Sequence, residues 1–299
     1  MNSSNKSSIA FPNVICAVAL ALVAATLSGE AAQLRLDPSR ASIVTAKHAP
    51  IQVIPDANGN ALMTGEAQFI STNWSGYVLP EFITGERYVS AQATWVVPTV
   101  VFKKKSAVSS NWVGIGGFCE NMRCKAKDVD QTLIQLGTAQ VAESRTETDY
   151  FAWYEMLPEP SVATTLVVNP GDVITASLTC DGDCTGSQSW TLSMTNETTA
   201  MNWSQDFDYA SPNLSAEWIE EAPTGRHGIL PLADFGTTTF DQSMTNGVSA
   251  LLNLADSIVM RDPHGESSNV SNLDSTLDGF SACYGPHKAL KPCSFVPLP

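Results

Sequence analysis

The sequence predicts an all-β protein whose main domain is one antiparallel sandwich or barrel of about 200 to 230 residues. After about residue 67, short runs rich in β-branched and aromatic residues follow one another. Pro, Gly, Asp and Asn separate these runs, and no long amphipathic helical pattern alternates with them. Closely spaced strands without intervening helices favour antiparallel pairing over a parallel sheet with crossover helices.

Each predicted strand is a β-rich run that ends at turn residues. In chain order the predicted strands are 73–79, 90–100, 109–116, 131–138, 150–157, 163–169, 172–180, 189–196, 216–222, 248–255 and 257–262.

The run QTLIQLGT contains a polar residue that packing does not explain. In an extended chain Leu133, Gln135 and Gly137 share one face, and Ile134 and Leu136 share the other. Burying the amide without a partner would cost about 1–3 kcal/mol. Gln135 is therefore a candidate for a specific role.

The start of the chain resembles a secretory signal. Lys6 lies in a polar segment, residues 14–27 are apolar, and small residues follow them. The apolar run is shorter than the roughly 20 residues of a membrane span. We expect a signal peptide at 1–31, a pro-segment or linker at 32–66, the main domain at 67–284 and a tail at 285–299. Residues 33–66 carry Arg35, Arg40 and Lys47 against Asp37, Asp56 and Glu66, so their electrostatic attraction to an acidic domain is only weakly supported.

The cysteines predict local disulfides. Cys16 would leave with the signal peptide, and the remaining cysteines form three close pairs. Six cysteines permit 15 pairings. A metal site is the rival interpretation, but zinc sites usually combine two close Cys or His pairs, and a single histidine, His287, lies beside these cysteines. The expected disulfide cysteines are Cys119 with Cys124, Cys180 with Cys184, and Cys283 with Cys293.

Composition and missing motifs exclude several functions. A net charge of −14 opposes nucleic-acid binding. The GxSxG, HExxH, P-loop and dinucleotide-binding patterns are absent, and the four histidines lie in polar or Pro/Gly-rich segments. We therefore expect no cofactor, no metal, no membrane association after signal removal, and a monomer secreted to the extracellular space.

Carboxylates in strands are the remaining chemical lead. In AEWIEEA, Glu217 and Glu221 share a face while Glu220 points to the other, and in AWYEML Glu155 shares a face with Trp153. An unpaired glutamate is rarely buried. A solvated sheet face is the alternative explanation.

Six motifs together resemble the glutamic peptidase (eqolisin) family. They are NWSGY, NWVGIGG, LIQLG, AWYEMLPEP, NPGDVITAS and AEWIEEAP, which occur in the family's order between about residues 68 and 284. The resemblance implies a concanavalin A-like sandwich of two antiparallel sheets, secretion as a precursor, and endopeptidase activity at acidic pH. It also places a catalytic dyad on Gln135 and Glu221.

The dyad has a physical rationale. A carboxylate at Glu221 can take a proton from an attacking water and return it to the leaving amine. The amide of Gln135 does not titrate, so it can donate to the developing oxyanion at low pH. The resemblance further implies that four residues line the substrate cleft: Trp74, Trp112, Trp153 and Glu155.

The chain departs from the fungal pattern at two positions. Gly116 and Phe151 stand where fungal members carry acidic residues. We therefore expect a more apolar cleft and a milder acid optimum. Gly114, Gly116 and Gly117 are expected to permit close backbone approach or a bulge.

Two other functions remain open from the sequence. Sandwiches of this kind also bind or cleave carbohydrate, and Glu217 with Glu221 would then be the paired carboxylates. A non-catalytic binding relative is the third interpretation. The preferred one is a hydrolase acting on protein or peptide substrates.

Overall fold

The computed structural model describes residues 46–64, 68–182, 184–186, 188–286 and 293–299. The predicted signal peptide and the first part of the predicted pro-segment lie outside these residues. Strands dominate the described chain: β1 Phe69–Ser71, β2 Trp74–Pro80, β3 Ser90–Val96, β4 Ala107–Gly116, β5 Leu133–Ala142, β6 Thr148–Met156, β7 Val162–Ala163, β8 Val173–Asp181, β9 Ser189–Asn196, β10 Met201–Asp208, β11 Ser215–Glu221, β12 Thr224–Gly225, β13 Gly228–Ile229, β14 Thr237–Thr245, β15 Val248–Ser249, β16 Ser257–Arg261, β17 Glu266–Val270 and β18 Phe280–Pro286.

Helical structure within the described residues is limited to short turns. A one-turn helix α1 spans Glu81–Thr84, and 3₁₀ turns span Ala126–Asp128 and Leu254–Asp256. None of the helices in this part of the chain has the length and apolar character needed to cross a membrane.

The long strands form one hydrogen-bonded path that packs as two layers. Its order is β10-β9-β8-β3-β14-β18-β17-β16-β2-β11-β4-β5-β6-β7. Neighbours along it are antiparallel, and β1 joins β16 in parallel. Trp95 of β3 and Phe240 of β14 belong to the first layer. They share a hydrophobic core with residues of the second layer, namely Val113 of β4, Leu136 of β5 and Trp218 of β11. The predicted all-β sandwich is confirmed.

The second layer has another face, turned away from that core, which we call the site face. It consists of the outward residues of β2, β11, β4, β5 and β6. Trp74, Trp112, Trp153 and Ile219 belong to a separate cluster there, to which Ile51 of the upstream segment also belongs. Both faces of this layer are therefore covered, which explains why β5 is buried along its whole length.

Two predicted strands are wrong in most of their length. Only Ala163 of 163–169 is in a strand, because Leu166 and Val168 reach the core from an irregular segment. Likewise 248–255 leaves the sheet after β15 and ends in a 3₁₀ turn.

The sequence analysis also missed several strands. The strand β10 is an edge strand paired with β9 and largely exposed, so it lacks an apolar pattern. Also missed were β1, β14, β17 and β18, where Ser and Thr occupy many buried positions, and the two-residue strands β12 and β13.

The disulfides connect the predicted pairs, Cys119–Cys124, Cys180–Cys184 and Cys283–Cys293. Residues 293–299 pack against the sheet, since Val296 N donates to Ser281 Oγ over 2.9 Å and Val296 O accepts from Thr239 Oγ1 over 2.7 Å.

Candidate active site

A row of side-chain positions crosses the site face at the level of Gln135. Glu217 on β11 is opposite Gly114 on β4, Gly114 is opposite Gln135 on β5, and Gln135 is opposite Glu155 on β6. Glu221 lies four positions further along β11, opposite Ser110. The side chains of Gln135, Glu155 and Glu221 are all almost completely buried.

Gly114 keeps the middle of this row open. A Cβ at this position would lie 2.9 Å from Trp112 Cζ3 and 3.1 Å from Gln135 Cβ. Any side chain would therefore displace the Trp112 ring or Gln135. This close approach confirms the expectation made for Gly114.

The site face is not open to solvent, because residues 46–52, here called the strap, lie across it. Lys47 exchanges two backbone hydrogen bonds of 2.8 Å with Thr224, just beyond β11. At the other end Ile51 N donates to Gly117 O over 3.0 Å, and Gln52 N donates to Asn73 Oδ1 over 2.8 Å. The strap is therefore held on both sides of Gln135 and Glu221.

His48 lies at the centre of the strap and contacts every polar group of the site. Its carbonyl oxygen accepts a hydrogen bond of 2.9 Å from Gln135 Nε2. Its backbone N–H donates to Glu155 Oε2 over 2.8 Å, and its ring Nδ1 lies 2.9 Å from Glu221 Oε2. The imidazole also stacks on Trp153, with ring centroids 3.6 Å apart and planes within 1°.

The next residue, Ala49, is held by the other predicted cleft residues. Its carbonyl oxygen accepts from Trp74 Nε1 over 3.1 Å and from Asn73 Nδ2 over 3.3 Å. Its backbone amide faces the Glu221 carboxyl closely enough to lower the pKa of that group. Trp112 Nε1 donates to Glu221 Oε2 over 2.8 Å.

Burial controls the protonation of these groups. It raises the pKa of Glu155 to about 7, against the lowering influence of His48. Burial also raises the pKa of Glu221 well above its usual range, against the lowering influence of the Trp112 hydrogen bond and the nearby indole N–H of Trp74. His48 responds in the opposite sense, because burial lowers its pKa to about 4.

One oxygen on each polar side chain of the site is unpartnered. Gln135 Oε1, Glu155 Oε1 and Glu221 Oε1 are buried and accept no hydrogen bond of good geometry from the described residues. Buried polar atoms in this state are rare and costly, and they cluster where a site must accept a further donor.

The structure brings most of the predicted site residues together. Gln135, Glu155 and Glu221 meet at His48, and the three predicted tryptophans, Trp74, Trp112 and Trp153, each contact the strap or Glu221.

The other two glutamates of AEWIEEA are used differently. Glu217 is on the site face, but its carboxyl faces Ser215 and Asp130. Glu220 points to the other face, as predicted, where Asn111 Nδ2 donates to it over 2.8 Å. Burial raises the pKa of both groups well above the usual range.

His48 and Asn73 are the residues that the sequence analysis missed. No sequence pattern indicated a role for His48. It belongs to no known catalytic motif, and it lies 173 positions from Glu221 in the chain. Asn73 had a local signal, because it precedes Trp74 in the motif NWSGY.

The arrangement can act on a peptide bond. An amide donor contacts the carbonyl of His48, and a carboxyl group faces the amide nitrogen of Ala49. Polarising a carbonyl and protonating the departing nitrogen are the two demands of peptide hydrolysis.

Comparison with known proteins identifies the family of the chain. Residues 72–277 match the model of the Peptidase A4 family. The chain is 24% identical to Aspergillopepsin-2 of Aspergillus niger over 227 residues, which cover 72% of this chain and 78% of that protein.

The chain is also similar to proteins whose structures have been solved. Scytalido-glutamic peptidase with a transition state analog inhibitor is 25% identical with a TM-score of 0.50, and the match covers 72% of this chain and 98% of that one. Aspergilloglutamic peptidase from Aspergillus niger is 23% identical with a TM-score of 0.41, and the match covers 60% of this chain and 99% of that one. Because the family model spans most of the chain, this protein belongs to the Peptidase A4 family and is a hydrolase, a glutamic endopeptidase.

Proposed function

We propose that this protein is a secreted acid endopeptidase in which Glu221 activates a water and Gln135 stabilises the oxyanion. The observation that carries the proposal is the position of the His48–Ala49 peptide bond. Its carbonyl faces Gln135 Nε2, and its nitrogen faces the Glu221 carboxyl. A substrate bound in the same register would have its scissile bond between the two side chains.

In the proposed reaction the strap has left the site face, so water reaches Glu221 and the burial that raises its pKa is relieved. The Glu221 carboxylate then takes a proton from a water that attacks the substrate carbonyl. The oxygen of that carbonyl becomes negatively charged and stays hydrogen-bonded to Gln135 Nε2. Glu221 then gives its proton to the leaving nitrogen, so one group serves as base and then as acid. A single preorganised donor to the oxyanion contributes about 3–4 kcal/mol to lowering the barrier.

Glu155 is a positioning residue in this scheme. Its Oε2 accepts from Gln135 Nε2 over 3.1 Å, which turns the amide so that its second N–H faces the substrate carbonyl. With a pKa raised to about 7, Glu155 is protonated at acidic pH and adds no negative charge beside the oxyanion.

The substrate in this proposal is an extended peptide. The backbone pairing of Lys47 with Thr224 resembles the addition of a short strand. Trp153 and Trp74 then contact the residues on either side of the scissile bond, as they contact His48 and Ala49. Three disulfides fit an oxidising compartment and so support secretion.

The spacing of the carboxylates does not favour a glycosidase. Glu217 and Glu221 are four residues apart on one strand, which separates their Cα atoms by about 13 Å. A retaining glycosidase needs carboxyl groups about 5–5.5 Å apart. The strap that occupies the site is an extended peptide, and its backbone groups make the hydrogen bonds that a peptide substrate would make.

The proposal is tested by assaying the secreted protein on denatured casein between pH 3 and 8. We expect hydrolysis with an acidic optimum, insensitive to a chelator, to a serine-directed phosphonate and to pepstatin. Loss of activity in EDTA, or a maximum above pH 7 abolished by the phosphonate, would contradict it.

A further inference from the structure

Resting on the proposed function, we propose that a basic surface beside the site binds acidic side chains of the substrate, upstream of the cleaved bond. This surface consists of Arg226, in the turn between β12 and β13, and of Lys104 and Lys105, and is here called the basic patch. All three residues are exposed. The patch adds a charge preference to the proposed activity, at a distance from the catalytic groups.

The hairpin of β12 and β13 continues the backbone edge on which the strap lies. Lys47 and Thr224 pair in an antiparallel bridge and exchange two hydrogen bonds of 2.8 Å. Beyond Thr224 the hairpin strand continues to Gly225, and Arg226 begins the turn. Because the pairing is antiparallel, a peptide in the place of the strap has its earlier residues beside Gly225 and then Arg226.

The hydrogen bonds of the strap also indicate which substrate residues reach the patch. The carbonyl of His48 accepts from Gln135 Nε2, so His48 marks the residue that precedes the cleaved bond. Lys47 is opposite Thr224, and the residue two places before Lys47 is then opposite Arg226. An extended chain advances by about 3.3 Å per residue, which is less than the length of an arginine side chain. The third to fifth residues before the one in the place of His48, here called the upstream positions, therefore lie within its reach.

The two lysines extend the positive charge to the other strand of the hairpin. Lys105 Nζ donates to His264 Nδ1 over 3.3 Å, and His264 Nε2 donates to Ile229 O in β13 over 2.7 Å. Lys104, Lys105 and His264 line a surface cavity of about 570 Å³. An acidic side chain has room to enter beside the lysines without displacing the hairpin.

The acidic groups near the patch already have partners. Asp234 forms an ion pair with Lys103 over 2.6 Å. Asp262 accepts from three backbone N–H groups over 2.8–3.1 Å, and Glu266 accepts from Tyr284 OH. Within the part of the chain that the structure describes, no carboxylate forms an ion pair with the basic patch. Its charges stay uncompensated in a molecule whose net charge is −14.

An acidic peptide suits the patch better than the upstream part of the same chain. Residues 33–45 carry Arg35 and Arg40 against Asp37, so their net charge has the same sign as the patch. An aspartate carboxyl has an ordinary pKa of about 3.9 and is ionised at pH 5, where arginine and lysine remain fully charged. A guanidinium such as that of Arg226 can bind such a carboxylate with two parallel hydrogen bonds.

The contribution of the patch is expected in substrate capture and not in the chemical step. An exposed ion pair changes an affinity by a modest factor, roughly 1.5- to 5-fold. Several charges acting together should therefore raise kcat/KM for an acidic upstream segment by about three- to tenfold. Salt should reduce this preference, because exposed charges are screened.

The test digests a library of proteome-derived peptides with the secreted protein at pH 5 and low ionic strength, and mass spectrometry identifies the cleaved bonds. We expect Asp and Glu at the upstream positions to occur at least about twofold more often than in the library as a whole. The enrichment should disappear in about 0.5 M NaCl. Cleavage without enrichment at low ionic strength would overturn the proposal.

Charge reversal separates the patch from general electrostatic attraction. In Arg226→Glu we expect Asp and Glu to be depleted at the upstream positions and Lys and Arg to be enriched. Replacing Lys104 and Lys105 together by Gln should weaken the parent's enrichment. The matched control is Arg123→Glu, because Arg123 is an exposed arginine in the loop after Gly117, at the other end of the strap. An unchanged enrichment in Arg226→Glu, or an equal loss in Arg123→Glu, would overturn the role of the patch.

The extent of cleavage distinguishes the two levels of the argument. A library that is cleaved in acid without charge enrichment overturns the basic patch and leaves the proposed function standing. Absence of cleavage between pH 3 and 6 by both the parent chain and Arg226→Glu would overturn the proposed function and the basic patch together.

Discussion

Gln135 and Glu155 are directly opposite each other on neighbouring strands, and the Gln135 amide donates to Glu155 Oε2 over 3.1 Å. The same oxygen accepts the backbone N–H of His48, whose carbonyl accepts the other N–H of Gln135. This closed set of three hydrogen bonds fixes which end of the amide faces a bound peptide. The first prediction follows from that orientation.

Replacing Gln135 by Ala should lower kcat by about 10²- to 10³-fold with little change in KM, because the oxyanion donor acts in the transition state. The control is Gln140→Ala on the same strand, where the amide donates to Thr138 Oγ1 on the other face. That variant should keep kcat within about a factor of two. Steady-state kinetics at the pH optimum measure both, and equal losses would contradict the assignment.

Replacing Trp112 by Phe should move the acid limb of the kcat profile to higher pH. The indole N–H donates to Glu221 Oε2 and lowers the pKa of that carboxyl, so its removal raises this pKa. Trp218→Phe is the matched control, because its indole donates to Gln92 O on the core side. An unmoved acid limb in Trp112→Phe would contradict a base at Glu221.

Acid should stabilise the domain while it loosens the strap. The pKa of Glu155 rises from 4.5 to about 7 on folding, so its contribution of about 3 kcal/mol is present below pH 4.5 and lost as the pH rises through 7. Glu217, Glu220 and Glu221 shift in the same direction. The pKa of His48 falls from 6.5 to about 4 on folding, so its contribution to stability is present above pH 6.5 and is lost as the pH falls through 4.

Two measurements on Glu221→Gln, which lacks the proposed base, separate these effects. Urea unfolding should give a higher free energy of unfolding at pH 4.5 than at pH 7. Hydrogen exchange of residues 46–52 should be faster at pH 4.5 after correction for intrinsic rates, and adding His48→Phe should remove that increase. Exchange that slows in acid would contradict the docked, neutral imidazole.

Gly116 should tolerate no side chain. Its φ is +93°, and an added Cβ would lie 2.5 Å from Thr132 O. Gly116→Ala should therefore cost more than the roughly 1–2 kcal/mol of a left-handed conformation alone. Gly59→Ala isolates that smaller cost, since Gly59 has φ +75° and no atom near its added Cβ. Equal losses in urea unfolding would show that the contact with Thr132 relaxes freely.

The geometry at Gly116 also explains a feature of the sequence. The sequence analysis expected Gly116 to leave the cleft without a carboxylate, and here the backbone leaves no room for a side chain. The sequence predicted the missing charge but not its cause, because a residue letter does not report φ. The effect of the missing carboxyl on the pH optimum stays a prediction.

Local patterns predicted the parts of the site that strand geometry controls. Alternation along β5 and β11 placed Gln135 and Glu221 on one face and Glu220 on the other, and the structure has them so. The sandwich followed from strand spacing. The failures at 163–169 and 248–255 came from apolar side chains that fill the core from irregular backbone or from short turns.

Long-range contacts were beyond such patterns. His48 reaches Glu221 across 173 positions, and nothing in its neighbours indicates burial. Sequence reasoning placed the histidines in loops and expected the dyad to face an open groove. The strap instead covers Gln135 and Glu221, because the cluster containing Trp74, Trp112 and Trp153 buries its apolar surface against residues from the upstream segment.

The most direct test of the central claim compares Glu221→Gln with Glu217→Gln. Both glutamates are buried on the same face of β11 with raised pKa values, but only Glu221 contacts the strap through His48 and Ala49. Measured as kcat/KM on one peptide at acidic pH, Glu221→Gln should lose about 10²- to 10⁴-fold and Glu217→Gln less than about tenfold. The reverse ranking would contradict the account and assign the base to Glu217, which shares its cross-strand row with Gln135.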